Sequence, residues 1–188
     1  MEGHGREFGS GFDLTRTVGW FTSIYPTRIS LKGTAWGLSN AQARRDYVRG
    51  VSEQLRGIPR KGWAYPLLRG LDAQSAHSMA AYEDSQIIFN YLGGTRLSEA
   101  GAWQLAPETA MLGQREPSLA LPYTLQTLVA LHDGDGGTSL TTRFVASADL
   151  LSERDLSALA SAWTHALADI AGLEAPASTA PAAQANAT

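Results

Sequence analysis

Six consecutive residues, Glu2-Gly3-His4-Gly5-Arg6-Glu7, gather two carboxylates, an imidazole and a guanidinium around two glycines. Such a set suits general acid-base chemistry, because burial and neighbouring charges bring a carboxyl pKa toward neutrality. The glycines let the backbone bend or approach a neighbour closely. The same residues also read as a charged terminal tail, and their types alone leave both readings open.

Other polar clusters carry less. Asp133-x-Asp135-x-Gly137 begins like a calcium loop, but Phe144 stands at the twelfth position where a bidentate Glu is needed. The flanks read as strands, so a turn is expected there. Gly9-Ser10-Gly11 has the wrong spacing for a nucleophile elbow. His4, His77, His132 and His165 lack metal-ligand spacing, and no cysteine is present for a thiolate site or disulfide. No metal site is expected.

The elements that must position these residues follow from periodicity. Val18–Ser30 is β-branched and aromatic and reads as a strand, edged at Pro26. Ser39 offers a helix N-cap, with Gln42 three positions on and Tyr47, Val48, Val51 and Leu55 at helical spacing; Gly57 and Pro59 end that run. A short helix is expected over Tyr65–Leu71, with Pro66 in its first turn. Gln86–Leu92 reads as a strand closed by Gly93-Gly94, and residues 95–122 as a long loop. Tyr123–His132 and Leu140–Ser147 alternate around a Gly-rich turn, which predicts a hairpin. Ser152 and Asp155 cap a last helix whose stripe is Leu156, Leu159, Trp163, Leu167 and Ile170, and Gly172 stops it. The order predicts an α/β sandwich of one sheet covered by helices.

Composition narrows the class further. The chain has 188 residues, 44% of them hydrophobic, enough for about one domain. A net charge of -3 with scattered arginines argues against a nucleic-acid partner. The absence of a long apolar run argues against a membrane span. The expected location is cytoplasmic.

Three long stretches together resemble the epimerization domain of non-ribosomal peptide synthetases, a relative of their condensation domains. Glu2-Gly3-His4-Gly5-Arg6-Glu7 matches its EGHGRE stretch, and Asp13–Ser23 with Tyr25-Pro26 matches its D-L-S/T-R-T-V-G-W-F-T-S segment. Phe89-Asn90-Tyr91-Leu92-Gly93 matches its F-N-Y-L-G segment. Pro59–Leu71 follows its P-x-K-G-x-G-Y-G-L-L-R-Y-L pattern, but departs at Trp63, Ala64 and Pro66, two of which replace glycines. The resemblance covers roughly residues 2–172, and 173–188 is expected to be a disordered Ala/Pro-rich tail.

The resemblance implies the C-terminal subdomain of a chloramphenicol-acetyltransferase-like (CoA-dependent acyltransferase-like) fold, a two-layer sandwich with a mixed or antiparallel sheet. It implies L-to-D epimerization at the Cα of an aminoacyl or peptidyl thioester, with no directly bound cofactor. The substrate arrives on the phosphopantetheine arm of a peptidyl carrier protein. By carry-over Glu2 is the acid-base glutamate, and Asn90 and Tyr91 border the active-site channel as catalytic residues that orient the substrate or stabilise the enolate. His4, Arg6 and Arg16 are channel-wall residues, expected to pair with Glu7 or Asp13, and Trp20 and Phe21 are expected in the core. Full-length members carry an upstream H-H-x-x-x-D-G motif opposite the glutamate, and this sequence has no adjacent histidine pair. The expectation is therefore half of a domain, inactive alone, whose partners are the carrier protein and the N-terminal half. The alternatives are a non-catalytic carrier-binding module and a degenerate remnant.

Overall fold

The computed structural model describes residues 1–4, 13–30, 40–95, 120–134 and 137–173. They divide into two units, one built from Met1–Ser85 with the chain from Ser157, the other from Gln86–Leu156.

In the first unit, β1 (Glu2–His4) pairs antiparallel with β2 (Thr22–Ile24), with Gly3 opposite Ser23. Tyr25 N–H extends the ladder by donating to Met1 O at 3.1 Å. The strand expected over Val18–Ser30 thus shrinks to three residues. Its partner is equally short, and Pro26 has no N–H to carry pairing further. Trp20, expected in the core, is 87% exposed, and Phe21 is half-buried with its ring folded against Gly19. Residues 13–20 belong to no strand or helix, so no ladder turns their side chains inward.

Helix α1 (Ala41–Arg56) is capped by Asn40, whose side chain accepts from Ala43 N–H at 2.9 Å. The cap expected at Ser39 is displaced by one residue, since asparagine satisfies the same orphan donors. Tyr47, Val51 and Leu55 lie half-buried along the helix, while Val48 is exposed. After Gly57 the chain makes a 3-10 turn over Pro59–Gly62, then α2 (Ala64–Leu71) and α3 (Ala73–Met79). Pro66 falls in the first turn of α2, where its missing N–H costs nothing. Helix α3, which apolar periodicity did not announce, starts on Asp72. Its carboxylate accepts from Ser75 N–H at 2.9 Å and is held below its ordinary pKa by hydrogen bonding from Ser75.

The second unit is a mixed sheet. Strand β3 (Ile87–Thr95) lies parallel to β4 (Leu125–Gly134), and β4 pairs antiparallel with β5 (Gly137–Ala146). The hairpin register runs from Leu125↔Ala146 to Gly134↔Gly137, so Asp133 and Gly134 belong to the strand. Strand β3 does not end at Gly93-Gly94: it bulges between Tyr91 and Gly94, with Gly93 at φ +77°, and continues to Thr95. A positive φ suits glycine, and the extra residue preserves pairing beyond the kink. Register places Phe89, Tyr91, Thr127, Val129, Thr142 and Phe144 on one face. Val129 is only 3% exposed there, and burying a side chain of that size contributes about 1.5 kcal/mol or more.

Helix α4 (Glu153–Ala171) carries the expected cap at Ser152. Ser152 Oγ accepts from Asp155 N–H at 3.2 Å, and Asp155 Oδ2 accepts from Ser152 Oγ at 2.6 Å and Ser152 N–H at 3.0 Å. These bonds hold the Asp155 carboxyl below its ordinary pKa. Gly172, at φ +71°, ends the helix, with Leu173 N–H donating to Ala168 O at 2.9 Å. No helix among the described residues is long and apolar enough to cross a membrane.

Candidate functional site

Glu2 and His4 occupy two of the three positions of β1, opposite Ile24 and Thr22. Gly3, between them, is where the backbone meets Tyr25. A Cβ on Gly3 would stand 3.2 Å from Tyr25 Cε1. The buried Tyr25 ring also lies directly on Gly62, so closely that a Cβ there has no room. Tyr25 therefore joins three sequence stretches, the acidic one at the start, its own Tyr-Pro pair and Lys61-Gly62. Its register fixes β1, and so where the Glu2 backbone stands. Sequence reasoning took Gly3 as a point of close approach but missed the ring that fills it.

The turn that supplies Gly62 is unusual. Arg60, Lys61 and Gly62 all have left-handed φ, at 49°, 51° and 82°. Non-glycine residues enter that region at a cost of about 1 kcal/mol or more each. Arg60 stacks over the Trp63 ring at 5.4 Å, a cation-π contact that offsets part of it. The replaced glycines at positions 64 and 66 lie in ordinary helix, so neither side chain meets a backbone restriction there.

Asn90 and Tyr91 sit on β3, held in parallel register by Leu128 and Val129. As strand neighbours they project to opposite faces. Tyr91, 42% exposed, shares its face with Phe89 and Val129; Asn90, half-buried, lies in a row with Leu128 and Arg143. A cavity on one face is therefore touched directly by one of the two.

Arg6 and Glu7 lie outside the described residues, as do Gly5 and Gly9-Ser10-Gly11. Arg16 is exposed. The pairing expected between Arg16 and Asp13 gives way to a local turn. Asp13 Oδ1 accepts from Thr15 Oγ1 at 2.7 Å and Thr15 N–H at 3.1 Å, which lowers its pKa. A polar cluster that the sequence did not flag ties α2 to the loop after α3. Arg69 Nη1 donates to Tyr65 OH at 2.7 Å and Asp84 Oδ1 at 2.9 Å, and these partners raise the guanidinium pKa further. Tyr65 and Arg69 were legible as an i, i+4 pair; Asp84 needed the third dimension. Among the described residues no three His, Cys, Asp or Glu side chains gather to hold a metal ion.

Comparison with known proteins places this geometry. A family model described as the condensation domain matches residues 1–180. The chain is 44% identical over 94 residues to bacitracin synthase 3 of Bacillus licheniformis, covering 50% of this chain and 1% of that protein. It is 39% identical over 95 residues to tyrocidine synthase 1 of Brevibacillus parabrevis, covering 50% of this chain and 8% of that one. The chain therefore spans a small fraction of these relatives. Among solved structures, the epimerization domain from the third module of tyrocidine synthetase B superposes with a TM-score of 0.64 at 29% identity. That match covers 91% of this chain and 36% of that chain. The fold is thus the α/β, chloramphenicol-acetyltransferase-like one, a mixed sheet with helices.

Proposed function

Since this chain belongs to the condensation-domain family, we propose that it forms part of an epimerization domain of a non-ribosomal peptide synthetase. Its reaction is L-to-D interconversion at the Cα of an aminoacyl or peptidyl thioester tethered to a carrier protein. The observation that carries this reading is the match to a solved epimerization domain over 91% of the chain. The Asp13–Ser23 and Phe89–Gly93 stretches support the epimerization branch in particular.

The chemistry needs a base for the Cα proton, an acid on the opposite face and a donor for the enolate oxygen. Glu2 takes or returns the proton on one side. Tyr91, the more exposed of the adjacent pair, offers its O–H to the enolate, and Asn90 lies on the opposite face of the same strand. The resemblance assigns His4, Arg6 and Arg16 to the channel wall. The second acid-base group is assigned to the His-His-x-x-x-Asp-Gly segment that the resemblance implies, and the matched region makes up 36% of the solved epimerization domain.

The test is Cα-deuterium uptake from deuterated water by a carrier-bound L-aminoacyl thioester. The 188-residue chain alone is expected to give little or no exchange, since one carboxylate without an opposing acid lacks the required geometry. Adding a His-His-x-x-x-Asp-Gly-bearing segment is expected to produce it. Robust exchange by the chain alone, or none with the added segment, contradicts the proposal.

A further inference from the structure

Helices α1 and α4 border an open cleft of about 500 Å³, walled by Arg44, Arg45 and Arg49 and lined by Val48, Ile170 and Ala171. With Ala41, five α1 residues line it, and Arg44, Arg45, Val48 and Arg49 fall on one side of that helix across a turn and a half. The arginines do not play equal parts. Arg44 reaches the C-terminus of α4, where a Cβ on Gly172 would lie 3.2 Å from its Nη2. A cation is favoured there by the negative end of the helix dipole. Arg44 thus lies against the end of α4.

Arg45 and Arg49 are presented outward. Arg45 Nη2 donates to the neutral Gln42 Oε1 at 2.9 Å, and Arg49 meets Asp46 at 3.4 Å with both side chains more than half exposed. A pair that open contributes little, so an incoming carboxylate competes with it readily. The charge is also concentrated. Between Asn40 and Leu71 the chain has seven basic and two acidic side chains, although its net charge is -3.

The lining decides what kind of anion fits. A small inorganic anion would engage the guanidinium groups and leave the exposed Val48 and its neighbour Ile170 in water. An amphipathic helix satisfies both, because its carboxylates at i and i+4 are about 6 Å apart along the axis, the spacing that separates Arg45 from Arg49. We propose that this cleft docks an acidic amphipathic helix of a partner protein, with carboxylates on Arg45 and Arg49 and an apolar side chain over Val48 and Ile170. The inference stands on α1 and α4 alone, independent of the reaction proposed above.

The test uses the full chain and a fluorescein-labelled synthetic helix of about 18 residues with Glu at i and i+4 beside a Leu stripe, read by fluorescence anisotropy. The acidic peptide is expected to bind at least about tenfold more tightly than its Glu→Gln counterpart, and to weaken as salt rises from about 0.05 to 0.5 M. The double variant R45E/R49E should lose about tenfold for the acidic peptide and gain for a Glu→Lys peptide. That gain separates lost recognition from lost folding. Equal binding of the Glu and Gln peptides, or no reversal by the charge swap, overturns the proposal. Binding of inorganic pyrophosphate in calorimetry, with no binding of the acidic peptide, overturns it in favour of a small-anion site.

Discussion

At the scale of single residues, the consequential contact is between Tyr25 and two glycines from distant stretches of sequence. Gly62→Ala forces a methyl group into the Tyr25 ring at a backbone angle that disfavours any side chain. The expected loss is about 3 kcal/mol, read as a lower denaturant midpoint, and Tyr25→Ala in the same chain should recover part of it. In the complemented exchange assay, Glu2→Gln is expected to lower deuterium uptake by at least about 100-fold. Tyr91→Phe should lower it by about 10-fold or more with little change in stability, since Tyr91 is largely exposed. An unchanged rate for Glu2→Gln would remove it from the chemistry. Positions 2, 90 and 91 are proposed as site residues because each lies in a stretch that resembles the epimerization family. Tyr25 also lies beside a matched stretch, but its packing role was not legible, because that role comes from the two distant glycines its ring meets.

At the scale of elements, caps and alternation were the readable features. Ser152 with Asp155 carried a cap that the structure reproduces atom by atom, and the hairpin formed around its Gly-rich turn. Ser152→Ala is expected to cost about 1 kcal/mol, measured by thermal unfolding. Acid should weaken the same helix end. The Asp155 carboxyl is held down by hydrogen bonds from Ser152, as Asp72 is by Ser75. A depressed folded-state pKa contributes stability above the ordinary value of 3.8, and that contribution disappears as pH falls below it. Ser152→Ala should flatten this acid limb, and an unchanged pH profile would speak against the cap as its source. The elements misread were the short ones. Strand β2 and helix α3 are too brief for a period to declare itself, and β1 is likewise only three residues long.

At the scale of the whole molecule, the described residues bury few large side chains and leave Val18 97% and Trp20 87% exposed. Both belong to the Asp13–Ser23 stretch on which the resemblance to the epimerization family rests. The isolated chain is therefore expected to self-associate in sedimentation runs, and the double variant V18S/W20S to remain monomeric at higher concentration. The resemblance to half of a domain carries the expectation of an exposed apolar face, but not which residues form it: Trp20 is expected in the core, since apolar residues at a seam look the same in sequence as apolar residues in a core.

The parallel placement of β3 beside β4 also has a kinetic meaning. The hairpin of β4 and β5 closes across a short turn and can zip within microseconds, whereas β3 must be drawn in across the long stretch between Thr95 and Leu125. The strand bearing Asn90 and Tyr91 therefore docks late and leaves early. Weakening Ile88, buried on that strand, should accelerate unfolding while hardly slowing refolding, so the half-life of this segment is governed by how fast it peels away.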